Sequence, residues 1–146
     1  MTAEILESAG TALLYGLVGF VVQAIGFIAL DLVTPGKLVH VAWTERNKGA
    51  AVLLAAQTLA IGLVIADAIA ASESQEGLGY GLLSTAAYGL AGVVMMTLAG
   101  AVVGLLTPGR IGETALNDDG GRPHPAAWVQ GAVYLGTAFM VGAALT

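Results

Sequence analysis

A chain of 146 residues that is 57% hydrophobic and only 10% charged falls far short of the roughly 25% charged residues that a soluble domain uses. Ten acidic against five basic residues give a net charge of -5, which excludes the basic footprint of a nucleic-acid-binding protein. With no cysteine, disulfides, thiolate metal sites and cysteine nucleophiles are excluded as well.

Charge-free stretches separate Glu7 from Asp31, Lys48 from Asp67, Glu76 from Arg110, and Arg122 from the end of the sequence. A membrane span needs about 20 mostly apolar residues at 1.5 Å each. These stretches predict transmembrane helices over 9–32, 50–71, 80–106 and 125–145. Glu4 and Glu7 replace the basic start of a signal peptide, and the apolar stretch behind them is too long for its core, so the first helix is expected to be a retained span. The first connection carries Lys37, Arg46 and Lys48, and residues 36–47 form a weakly amphipathic stretch that suits the membrane interface. The second connection has no basic residue; the third has Arg110 and Arg122. All five positive charges thus fall on one side, which the positive-inside rule makes cytoplasmic. The expectation is a multi-pass protein of a bacterial cytoplasmic membrane with both termini outside. Trp43 and Trp128 near one boundary, and Tyr15, Tyr80 and Tyr88 near the other, read as an aromatic belt.

The sequence also repeats itself. Tyr15, Gly16, Leu17, Val18 and Gly19 recur as Tyr88, Gly89, Leu90, Ala91 and Gly92; Thr34, Pro35, Gly36 and Lys37 recur as Thr107, Pro108, Gly109 and Arg110. Both pairs of segments are 73 positions apart. One membrane domain over 1–146, all-α, built of two tandem hairpins over 9–72 and 80–146, follows from this. Each unit holds two spans, so the copies enter the membrane in the same direction, as a parallel repeat. A three-residue insertion before the fourth helix brings Ala50 and Ala51 onto Ala126 and Ala127. Proline drives the preceding threonine out of the helical region, Pro and Gly suit the centre of a type II turn, and Lys37 or Arg110 then meets the negative end of a helix dipole. The motif reads as a helix terminator or as a ligand-contacting turn.

The two-hairpin plan, with DLVTPGK closing the first helix, GLLTPGR closing the third and Asn47 ahead of the second, resembles the DUF350 family of small bacterial membrane proteins. The resemblance implies four spans over nearly the whole chain and a loose association with envelope-stress and polyamine-related genes, without a mechanism. Asp31 has Gly104 as its counterpart and Asn47 has none near Pro123, so a polar site is expected in the first repeat.

Ala12, Gly16, Gly19, Gln23 and Gly26 form one seam of the first helix, and Thr85, Gly89, Gly92, Met96 and Ala99 one of the third. Gly100 and Gly104 add a further small pair. Small residues let helices approach closely in lipid, so these two helices are expected to pack together; the alternative is a glycine-lined pore. Gln23 and Gln57, at similar depth, are expected to hydrogen-bond across the hairpin, or else to ring an oligomer axis. Asp31 at the end of the first helix calls for a partner among Lys37, Arg46, Lys48 and Arg110, and is either an interface salt bridge or an ion or proton site. Asp67 lies near the outer end of its helix, within reach of interfacial water. Asn117, Asp118, Asp119, Gly120 and Gly121 make a solvated turn that lacks the closing glutamate of a calcium loop, Trp128 standing there. His40 and His124 have no ligand spacing, so neither a metal nor a cofactor is expected. No nucleophile–histidine–acid context, HExxH or phosphate loop is present, and enzyme chemistry is not expected. Four short helices leave little interior, so the expectation is a homo-oligomeric channel or transporter subunit for an ion or small cation. The rival is a non-transporting scaffold or stress-linked sensor that docks a cytoplasmic protein partner.

Overall fold

The computed structural model describes residues 2–34, 37–72, 77–107, 114–117 and 121–145. The helices that lie wholly within these residues are, in chain order, α1 (Thr2–Val33), α2 (Leu38–Trp43), α3 (Lys48–Ala71), α4 (Leu78–Leu106) and α5 (Pro125–Leu145). All except α2 are long and apolar enough to cross a membrane. Exposed leucine, isoleucine, valine and phenylalanine side chains cover their outer surfaces, as lipid contact requires. Of the connections, Pro35, Gly36, Pro108, Gly109 and Arg110 lie outside the described residues, as do Asp118, Asp119 and Gly120.

The expected spans are all present, and the first three start earlier than expected. α1 begins at Thr2 instead of residue 9, because Glu4 in its first turn meets the positive end of the helix dipole. At 32 residues it runs about 48 Å, well past the ~30 Å hydrocarbon. α3 begins at Lys48, capped by Asn47. α5 begins with Pro125, which suits a first helical position because its missing N–H would be unpaired there; His124 Nδ1 accepts from Ala126 N at 3.1 Å and completes the cap. The weakly amphipathic stretch contains α2, a helix that buries Leu38 and Val41 and leaves Trp43 exposed.

α3 is the central helix, packed on α5, α4, α1 and α2, whereas α1 and α5 stand at the far ends of the bundle's long diagonal and do not form a packed pair. The core runs along α3 through Leu53, Ile61 and Val64, joined by Leu30, Leu38 and Met96. Glycine sets the spacing. A methyl on Gly26 would lie 2.8 Å from Val93 Cγ2, one on Gly89 2.9 Å from Val22 Cγ1, and one on Gly131 2.9 Å from Ala56 Cβ. In lipid, such close contact is the main source of helix association.

Two expectations about packing change. The buried face of α1 is Gly19, Val22, Gly26 and Leu30; Ala12 and Gly16 are exposed, and a methyl on Gly16 would meet nothing within 4 Å. Helix α1 meets α4 through Tyr15, Val22 and Gly26 and α3 through Gly19 and Gly26, which leaves Ala12 and Gly16 outside these contacts. On α4, by contrast, Gly89, Gly92 and Gly100 are all buried, Gly100 beside the Tyr134 ring and hydroxyl. Secondly, five of the seven buried positions of α5 (Ala127, Gln130, Tyr134, Thr137 and Ala138) fall 73 residues after buried positions of α3 (Leu54, Gln57, Ile61, Val64 and Ile65). This burial match keeps the 73-residue spacing without the three-residue shift expected before the fourth helix.

Candidate functional site in the first hairpin

The polar side chains of the first hairpin are placed by the helix ends around α2. Asp31, in the last turn of α1, accepts a 2.9 Å hydrogen bond from the backbone N–H of Val39. Among the described residues Asp31 thus caps the N-terminus of α2; Arg110, one of its expected cationic partners, lies outside them. A carboxylate there is stabilised by the dipole and by free N–H groups, which offsets its unfavourable place at the end of α1. Thr34 donates to the Leu30 carbonyl at 2.8 Å, as Thr107 does to Val103 at 2.7 Å, so both α1 and α4 end in a threonine bonded one turn back.

Asn47 ties three segments together. Its Oδ1 accepts from Ala50 N at 2.8 Å, its Nδ2 donates to the Leu116 carbonyl at 2.6 Å, and its backbone N–H donates to Val41 O at 3.3 Å. Gly49 beside it abuts the Ala115 carbonyl so closely that no side chain fits. The first connection is thus fastened to residues 114–117 of the third, which fixes α3 and α5 as parallel helices starting on one side. Lys37 and Arg46, on either side of α2, adopt positive φ of 53° and 54°, a conformation that costs a non-glycine residue about 1–2 kcal/mol.

Gln23 and Gln57 do not bond to each other. Gln23 Nε2 donates to the Thr58 carbonyl at 3.0 Å, and Gln57 Nε2 donates to Thr34 Oγ1 at 3.4 Å. Depth was legible, since Gln23 meets the residue next to Gln57; the azimuth was not. Positions 57 and 58 point about 100° apart on a helix, so Gln57 faces the core and the Thr58 side faces α1. Gln23 lines an open groove of about 360 Å³ with Gly16, Gly19, Phe20, Gly62 and Ala66, and its Oε1 lies on the Gly62 side of that groove. Asp67 sits apart from all of these, half-buried against Gly142 of α5. At the opposite end of the bundle from α2, the Tyr15 hydroxyl rests against Gly81.

Sequence reasoning passed over Gln130. It is 4% exposed, and its Oε1 is buried with no hydrogen-bond partner among the described residues. The signal was present: Gln130 follows Gln57 by the same 73 residues that separate the other repeated motifs, and the assumed insertion concealed it.

Four apolar helices of membrane length, packed through glycines around one central span, define an all-α integral membrane protein. Its residues 4–145 match the family described as Domain of Unknown Function (DUF350), and the chain belongs to that family. It is 36% identical to a UPF0719 transmembrane protein of Mycolicibacterium paratuberculosis over 142 residues, covering 97% of this chain and 91% of that one. Two further UPF0719 transmembrane proteins, of Mycobacterium bovis and Mycobacterium tuberculosis, are each 34% identical over 97% of this chain and 90% of theirs. No solved structure matches.

Proposed function

We propose that the protein is a subunit of a homo-oligomeric channel or transporter for an ion or small cation, with the solute path between copies. One observation carries this reading. Gln23 lies in the spanning part of α1, its amide nitrogen is engaged by Thr58, and its oxygen faces an open, glycine-lined groove where no donor of the described residues reaches it. An unpaired polar atom in hydrocarbon costs several kcal/mol, and a second copy seated in the groove would supply a donor. Within one copy the core above Gln57 is packed with Val22, Ile61, Val64, Val93 and Ala68, all buried and apolar, which leaves little room for a path through a single bundle. The tandem-hairpin origin, the cytoplasmic-membrane location and the outward-facing termini belong to the same proposal. The 73-residue spacing and the one-sided basic residues support them.

The test is ion flux through proteoliposomes, paired with disulfide trapping in membranes. Ala66→Cys, in the groove, is expected to trap dimers on oxidation, and Leu83→Cys, on the exposed face of α4, is not. Flux is expected in the wild type, lost in Gln23→Leu and kept in Asp31→Asn, whose side chain still accepts from Val39 N. Loss of flux in a folded Asp31→Asn protein moves the site to the α1–α2 junction. No flux across several ions and pH values sinks transport.

The scaffold reading has its own observation in Lys37 and Arg46, exposed cations held in an ordered, strained connection. Recovery of a cytoplasmic protein with the wild type but not with Lys37→Glu supports it.

A further inference from the structure

A groove of about 930 Å³ opens on the lipid-facing side of α1, α2 and α3. Phe27 forms one wall, Ala42 and Trp43 close the end near the first connection, and α3 supplies the floor over residues 51–63. Its volume falls in the range of small-molecule sites, about 300–1,000 Å³. The floor extends about 18 Å at 1.5 Å per residue, close to the ~15 Å depth of one leaflet, half of a ~30 Å hydrocarbon core. No polar group inside asks for a partner: Thr58 is the one hydroxyl, and it donates to the Leu54 carbonyl at 2.8 Å. The charges stand outside the groove's closed end. Arg46, three residues beyond Trp43, is exposed, and Lys48 opens α3 one turn before Ala51. With Lys37, the first connection carries three cations against the single acid Glu45, in a chain whose overall charge is -5. Trp43 is 74% exposed at the rim, the amphipathic ring that interfaces favour. The backbone of Arg46 sits at positive φ between α2 and the Asn47 tie, which sets where its side chain departs from the chain.

We propose that this groove is a binding site for an anionic phospholipid of the bilayer, with acyl chain along α3 from Ala51 toward Gly62 and phosphate at Arg46; Lys48, whose Nζ lies 3.9 Å from the Cβ position of Gly121, faces the third connection instead. The site uses the half of the α1–α3 face next to the first connection and meets the groove proposed for the contact between copies at Gly62, which lines both.

The two tryptophans, Trp43 and Trp128, allow a direct test. Trp128→Phe protein, with Trp43 as sole fluorophore, is reconstituted into vesicles of equal parts phosphatidylglycerol and phosphatidylcholine, bromine being carried either by the first lipid or by the second. Overall composition is then identical, and quenching reports which lipid sits beside Trp43. The expected result is an apparent preference for phosphatidylglycerol of about fivefold, the effect of one cation near an anionic surface. Arg46→Glu is expected to abolish it, and so is Ala55→Phe, which fills the floor without touching a charge. Trp43→Phe protein, reporting from Trp128, is expected to be quenched equally by both. Equal quenching of Trp43 by the two lipids overturns the proposal, as does a preference that survives both variants. Trp43 shielded from both lipids overturns it too, since the groove is then covered by protein.

Discussion

Asn47→Ala is the most informative single change, because it cuts two bonds whose contributions separate. The Asn47 Oδ1 bond to Ala50 N, 2.8 Å long, is a helix cap, and its removal costs about 0.5–2 kcal/mol. The Nδ2 bond to Leu116 O, 2.6 Å long, contributes about 1 kcal/mol, with a further penalty because the residue is only 8% exposed and water does not readily replace the lost donor. Asn47→Ala should therefore destabilise the bundle by about 2–3 kcal/mol. Asn47→Ser keeps a cap-competent oxygen but is too short to reach Leu116, so it should lose only about 1 kcal/mol. Unfolding in mixed micelles by rising SDS fraction, followed through tryptophan fluorescence, measures both. A wild-type-like Asn47→Ala protein would refute the keystone role. Serine as damaging as alanine would show that the tie to residues 114–117, not the cap, holds α3 in place.

Three further outcomes follow from the packing. Gln130→Leu should be neutral or stabilising in the same unfolding assay, because it removes a buried oxygen whose missing bond costs about 1–3 kcal/mol; Gln57→Leu, which breaks the bond to Thr34, should destabilise by about 0.6 kcal/mol. Gly26→Ala drives a methyl against Val93 and Ile61 and should cost about 1–3 kcal/mol by overpacking, whereas Gly16→Ala should leave the protomer's stability unchanged and reduce Ala66→Cys trapping. For orientation, Gln75→Cys should react with an impermeant thiol reagent in intact cells and Ala42→Cys should not; the reverse pattern overturns the positive-inside assignment.

The four spans were legible because charge-free runs of span length have one physical solution in lipid. Their depth was legible too, since rise per residue is fixed, and this is why Gln23 meets Thr58, one position from its expected partner. Azimuth was not. In a lipid-exposed helix both faces are apolar, so the pattern that orients a soluble helix is flat, and Gly16 and Gly26 look alike although only Gly26 is in contact with another helix. Bonds to backbone atoms were hidden for a different reason. Asp31 was matched against cations because side chains are visible in a sequence, while its partner is the amide of Val39, which any residue there would supply. The capping role of Asn47 was readable from its place ahead of a helix, but its reach to Leu116, 69 residues away, depends on how two connections meet.

The central position of α3 has a consequence for the order in which the chain can mature in a cell. Its most extensive partner is α5, the last of the described helices to be synthesised, while α1, made first, stands on the outer diagonal. Until α5 has entered the bilayer, the face of α3 that packs on it stays open to lipid, although residues 115–116, which Asn47 and Gly49 touch, have already been made. Closure of the core face of α3 therefore waits for the last helix, while its contacts with α1, α2 and α4 can form earlier. Chains stalled before residue 125 should be recognised by membrane quality control as unfinished, however well their first two spans have inserted.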